Sequence, residues 1–194
     1  MLKYILLTLV LFSANISFAQ DAQKPTEEKA MAFKVESSTF KEGELLPQKT
    51  AFDGFDCGGQ NILPHLKWSN APAGTKSFVI TEYDPDAPTV SGFWHWGIFN
   101  IPASVSEIAE GANQSGSLPA GSAQIFTDYG STGYGGSCPP VGDKPHHYHF
   151  TVYALSTEKL ELTPATTTGA FLMFNIRGSI LAEAKITGMY ERKQ

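Results

Sequence analysis

The chain has 194 residues, with 14 basic and 19 acidic side chains and a net charge of −5. Mild acidity without a basic run provides no electrostatic footprint for nucleic acid or for an anionic membrane surface. The 18 glycines, 12 prolines and 13 phenylalanines favour a turn-rich, aromatic-cored β protein over a helical one.

In chain order, residues 1–19 combine Lys3, an apolar run over 4–12 and the small-x-small ending Ser17-Phe18-Ala19. That pattern predicts a secretory signal cut after Ala19, hence a secreted chain in a bacterial periplasm. No segment approaches the roughly 18 uninterrupted apolar residues of a membrane span, so none is expected. Residues 20–30 are polar and charged and read as a flexible leader. Residues 31–194 then form one domain. Within it, strand-like runs are predicted at 32–36, 66–68, 77–83, 93–101, 147–155 and 184–190, separated by clusters of Gly, Pro, Asn and Asp. The stretch 169–183 carries apolar residues at 172, 173, 176 and 180 behind threonines at 166–168 able to cap it. It reads as a late helix, with Gly178 weakening its second half. The expected architecture is mainly β, a sandwich of antiparallel strands with one helix packed on it.

Cys57 and Cys138 are the only cysteines. An even count in an oxidising compartment predicts a disulfide, worth about 4 kcal/mol for so long a loop in the chain-entropy model. Two free thiols, or a Cys138 thiol working with His146, are the alternatives.

Two stretches can carry chemistry. The first is GYGGSCPPVGDKPHHYHFTVYAL, which concentrates His146, His147 and His149, three of the five histidines, at the start of a strand. Side chains alternate along a strand, so His146 and Tyr148 share the apolar face of Phe150, Val152 and Ala154, while His147 and His149 take the other. An inward histidine is commonly a hydrogen-bonded core residue. His147 and His149 by themselves make a solvated face rather than a metal site, since no third ligand is in view. The second stretch, EYDPDAPTVSGFWHWGIFNIP, stiffens Asp84 and Asp86 with two prolines and brings His95 on the next strand. Such a turn ordinarily means aspartates capping their own backbone. Carboxylates close to imidazoles can also orient them as donors, which suits a small anionic or zwitterionic group. No H-E-x-x-H, P-loop, G-x-G-x-x-G or G-x-S-x-G signature is present, so no cofactor or metal is expected.

With both stretches in hand, the chain resembles the phosphatidylethanolamine-binding protein family, and more narrowly its bacterial Raf-kinase-inhibitor-like branch. The resemblance rests on LPHLKWSNAPAGTKSFVITEYDPDAP, FWHWGIFNIP, GYGGSCPPVGDKPHHYHFTVYAL and ILAEAKITGMY, in that order over 32–190. It implies an antiparallel β-sandwich with a C-terminal helical segment and a small anion pocket at one end. The family's pocket positions match Asp84, Asp86, Pro88, His95, Pro139, Pro140, His146 and Tyr148. Two departures stand out: His147 replaces the usual arginine between His146 and Tyr148, and Cys138 replaces the glycine often found before the proline pair.

The resulting expectation is a binding protein without catalysis, in which Asp84, Asp86, His95, His146 and Tyr148 hold a phosphate-like or carboxylate group. His95 and His146 serve as donors, the aspartates orient them and Tyr148 adds a hydroxyl. The alternative is a protein-interaction or inhibitor module that uses the pocket to dock a protein partner. A hydrolase built on His146 with Asp84 or Cys138 is the third reading, weakened by the missing nucleophile elbow. The resemblance also implies that homodimers occur in the branch, which no residue here fixes.

Overall fold

A computed structural model describes residues 31–193; the signal and leader assigned to 1–30 lie outside the described residues. The strands are β1 Lys34–Glu36, β2 Leu66–Ser69, β3 Ser77–Asp84, β4 Phe93–Pro102, β5 Glu107–Ile108, β6 Ala123–Gln124, β7 His146–Leu155 and β8 Ile180–Tyr190. Two helices, α1 Ala112–Ser115 and α2 Gly169–Ile176, complete the set with two short 3-10 turns. Five strands form an antiparallel sheet in the order β6-β4-β3-β7-β8, and three form a smaller one in the order β1-β2-β5. The expected mainly antiparallel architecture is the one found, and the six predicted strands fall on β1, β2, β3, β4, β7 and β8.

Binary patterning explains the layering. The central strands β3 and β7 are buried on both faces. One face of the large sheet, with Phe78, Ile80, Trp96, Ile98, Tyr148, Phe150 and Val152, packs against Leu66, Trp68 and Ile108 of the small sheet. The other face, with Val79, Phe99, Tyr153 and Leu155, is covered by Leu172 and Ile176 of α2. Tyr153 is therefore not solvated as simple alternation on a half-exposed strand implies; the helix roofs that end of the sheet. Each fully buried aliphatic or aromatic side chain contributes about 1.5–3 kcal/mol of transfer free energy, so these two layers are the main source of stability.

The helix is shorter than its apolar spacing predicts. Thr168 caps α2 by accepting the Phe171 N–H, but the helix ends at Ile176, and residues 180–183 belong to β8. Ala182, Ala184 and Ile186 repeat with period two opposite Ala154, Val152 and Phe150, Ile180 turns to the helix side across a register shift, and β8 pairs with the whole of β7. The ladder outweighs a helical continuation that Gly178 already weakens. The two-residue strands β5 and β6 were too short to leave a sequence signal.

Cys57 and Cys138 are joined in a disulfide spanning 81 residues, with Cα atoms 5.6 Å apart. The bond removes Cys138 as a thiol nucleophile. No helix among the described residues is long and apolar enough to cross a membrane.

Candidate functional site

Antiparallel pairing puts the end of β3 beside the start of β7, since Tyr83 opposes His149 and Glu82 opposes Phe150. The acidic turn after β3 and the histidines opening β7 thus share one end of the large sheet. There Asp84, Pro88, His95, Pro139, Pro140 and His146 line a single cavity of about 230 Å³, together with Phe55, Ala87, Thr89, Phe93, Tyr129 and Cys138. That volume lies below the several hundred Å³ of a drug-sized site and matches a small polar group. A larger hollow of about 760 Å³, around Lys76, Asn100 and Lys159, has no buried side chain in its lining.

Asp84 and His146 form the centre of the cavity. Asp84 Oδ2 lies 2.7 Å from His146 Nδ1, and both side chains are buried. Asp84 Oδ1 accepts the backbone N–H groups of Asp86 at 2.8 Å and Ala87 at 3.1 Å, so the turn holds the carboxylate and the carboxylate holds the imidazole. Breaking such a buried pair by removing one partner costs about 3–5 kcal/mol. Asp143 Oδ2 stands 3.6 Å from His146 Nε2 at the mouth, beyond hydrogen-bond range.

His95 reaches the cavity through an irregularity in the ladder. Tyr83 pairs with Trp94 and Glu82 with Trp96, with a register shift between them. One residue of β4 is therefore extra, and a bulge of this kind re-aims a side chain. Trp96 lies in the inter-sheet core and Trp94 packs on the helix side, while His95 is buried at the cavity. Its Nδ1 lies 3.1 Å from the carbonyl oxygens of both Gly135 and Gly136, which can only accept. Burial pulls its pKa down to about 4, although Asp84 pulls the other way. Gly136 is needed for this approach, because a Cβ there would lie 2.0 Å from the Thr50 carbonyl oxygen.

Two expected residues lie outside the lining. Asp86 is two residues past Asp84 in the turn and faces out, where its Oδ2 accepts the His147 backbone N–H at 2.8 Å and meets His147 Nδ1 at 2.7 Å. Partial desolvation opposes ionisation of Asp86, but these hydrogen bonds hold its carboxyl below the usual range. His147 is thus engaged with Asp86. Tyr148 sits behind His95 with ring centroids 5.1 Å apart. Its hydroxyl is buried and lacks a hydrogen-bond partner among the described residues. Burial, with help from nearby Asp84, pushes its pKa upward.

Tyr129 and Glu82 were not singled out from the sequence. Tyr129 comes from an irregular loop, stacks on Phe52 at 4.1 Å and donates its hydroxyl to the Gly136 carbonyl at 2.7 Å. Glu82 lies on β3 two residues before Asp84, fully buried, with neither carboxyl oxygen partnered among the described residues. Burial, reinforced by Asp84, raises its pKa well above the ordinary value. Its place on the inward face of β3 was the available signal. Outside the cavity, Arg192 clamps the disulfide-linked loops, donating to the carbonyls of Asp56 at 2.9 Å and Pro139 at 3.4 Å.

Comparison with known proteins places this architecture. The family model described as phosphatidylethanolamine-binding protein matches residues 36–191. UPF0098 protein YbcL of Escherichia coli is 48% identical over 84% of this chain and 90% of its own length. UPF0098 protein YbhB of the same organism is 45% identical over 81% of this chain and 99% of its own. The crystal structure of YbcL, described as a new member of the mammalian PEBP family, superimposes with a TM-score of 0.78 at 47% identity, covering 82% of this chain and 98% of that one. A Mycobacterium tuberculosis relative, 35% identical over 81% of this chain and 71% of its own length, carries a provisional lipoprotein name, LppC. The chain belongs to the phosphatidylethanolamine-binding protein family.

Proposed function

We propose that the chain is an envelope binding protein, secreted to the periplasm, whose cavity holds a small anionic or zwitterionic group of the phosphate or phosphoethanolamine type without turning it over. The observation that carries this reading is the buried Asp84–His146 pair at 2.7 Å, opening with His95 on one 230 Å³ cavity. Polar groups converging in a small, otherwise apolar recess are the usual signature of a ligand site. The disulfide supports an oxidising compartment, as does the lipoprotein name of the mycobacterial relative. The family's name supplies the headgroup class. Phosphoethanolamine at millimolar concentration is expected to raise the melting temperature, since a ligand at 100 times its Kd adds about 2.7 kcal/mol. His146→Ala is expected to remove the increase. An unchanged melting temperature in the wild type overturns the reading.

A second reading, docking of a protein partner, is favoured by the cavity's surroundings. Phe55 lines the mouth at 73% exposure, and Val90 projects fully from the acidic turn. Exposed apolar side chains around a recess fit a macromolecular partner. Pull-down from periplasmic extract with wild type and Phe55→Ser separates the two: capture that depends on Phe55 supports docking, and an empty result removes it.

A further inference from the structure

The side chains that line the cavity have committed most of their protons to the protein. His95 donates Nδ1–H to the Gly135 and Gly136 carbonyls, so its neutral ring carries a lone pair on Nε2. Tyr129 donates its hydroxyl to Gly136 O, and Thr89 donates its hydroxyl to Gly92 O. His146 directs Nδ1–H to Asp84, leaving Nε2 as its only remaining site, a lone pair in the neutral ring and a donor in the imidazolium. Pro88, Pro139 and Pro140 have no N–H to offer, and the lining contains no lysine or arginine. Both histidines were expected to donate to the ligand; with its Nδ1–H spent on the two carbonyls, a neutral His95 ring offers the cavity an acceptor at Nε2. Burial keeps that ring neutral, with a pKa of about 4.

A lining whose side chains offer surplus acceptors and one potential donor, His146 Nε2, does not suit a fully deprotonated anion. We propose that the cavity selects a monoprotonated phosphate monoester, whose P–OH donates to His95 Nε2 while a second phosphoryl oxygen accepts from the His146 imidazolium Nε2–H. This inference rests on the anion-binding reading above and deepens it by fixing the protonation state of the ligand. The surroundings are consistent with a single negative charge. Asp84 stands behind His146 on β3, and Asp143 faces its Nε2 at 3.6 Å. Glu82 is buried behind the site on β3, with Tyr148 on β7 and Tyr129 on its loop packed against His95. A dianion would face these acidic groups with one cation to meet it, whereas a monoanion that brings its own proton satisfies both imidazoles.

Methyl phosphate and methyl sulfate separate the possibilities, because the monoanions share size, shape and charge and only the phosphate retains an O–H. Titration of each into the wild-type protein at pH 6 and pH 8, at fixed ionic strength and followed by calorimetry, is the experiment. At pH 6 methyl phosphate is expected to bind at least tenfold more tightly, because methyl sulfate leaves the buried His95 acceptor unpaired. A phosphate monoester has its second pKa near 6, so its monoanion falls from about half the population at pH 6 to about one part in a hundred at pH 8. Methyl phosphate binding is expected to weaken roughly fifty-fold more than methyl sulfate binding over that interval. Equal affinities at pH 6, or equal losses on going to pH 8, overturn this inference and leave the anion site standing. Failure of both ligands to bind overturns both.

Discussion

Glu82→Gln gives a direct test of how the strand behind the pocket is built. Glu82 is fully buried on β3, without a hydrogen-bond partner among the described residues, and raised in pKa by burial and then by Asp84. A carboxyl whose folded pKa is raised contributes its full stability below the unfolded value, about 4.3 for glutamate. That contribution is lost as pH rises, because the unfolded chain ionises while the buried acid holds its proton. Glutamine keeps the shape and has no proton to lose. The stability of Glu82→Gln relative to wild type is therefore expected to increase with pH above the unfolded value, by up to about 1.4 kcal/mol per pH unit while the buried acid keeps its proton. Urea denaturation at several pH values, with m-values held common, measures the difference. Subtracting the two proteins removes every other titrating group they share. A difference that stays flat across those pH values means that Glu82 is ionised in the folded protein, and the reasoning fails.

Three further outcomes follow from the same geometry. His95, lowered to about 4, has the opposite slope: below about pH 6.5 the unfolded ring takes up a proton that the buried ring refuses, so stability falls as pH drops toward 4. His95→Asn, which can keep a donor at the Nδ1 position, is expected to lose this acid sensitivity, worth about 3 kcal/mol by pH 4; unfolding of both proteins at pH 4 and 7 checks it. Gly136→Ala puts a Cβ 2.0 Å from a backbone oxygen that cannot rotate away. It is expected to cost about 1–3 kcal/mol and to weaken methyl phosphate binding by displacing the carbonyl that holds His95, as denaturation and calorimetry would show. Reduction of Cys57–Cys138 opens an 81-residue loop and is expected to lower stability by up to about 4 kcal/mol, read from the urea midpoint with and without reductant.

The parts of the site that follow strand alternation were legible in the sequence. Period two placed His146 and Tyr148 with Phe150 and Val152, and these side chains are buried on one face of β7. Alternation could not place His95, because a register shift in β4 adds one residue and re-aims the ring. Nor could it place Asp86, which lies beyond the end of β3, where the turn aims it at His147 instead of the cavity. Tyr129 sits in an irregular loop with no periodicity to read, and only the packing of Phe52 and His95 against it reveals its role. Glu82 was legible and went unread: it shares parity with Ile80 and Asp84, which makes an acidic side chain inward in an otherwise apolar run. The overlong helix has a physical cause as well. A segment in which helical spacing passes into period two can satisfy either pattern locally, and the β7 ladder decides between them.

The account depends on two imidazoles of fixed tautomer sharing one cavity with an anion. Long-range ¹H–¹⁵N correlation spectra of the five histidine rings at pH 6, recorded with and without methyl phosphate, test it most directly. Without ligand, His95 is expected to show a protonated Nδ1 and a bare Nε2; with ligand, Nε2 of His95 and of His146 should shift together while His65 and His149 stay in place. A His95 ring protonated on Nε2 in the free protein, or His95 and His146 signals that do not move at saturating methyl phosphate, would contradict the account.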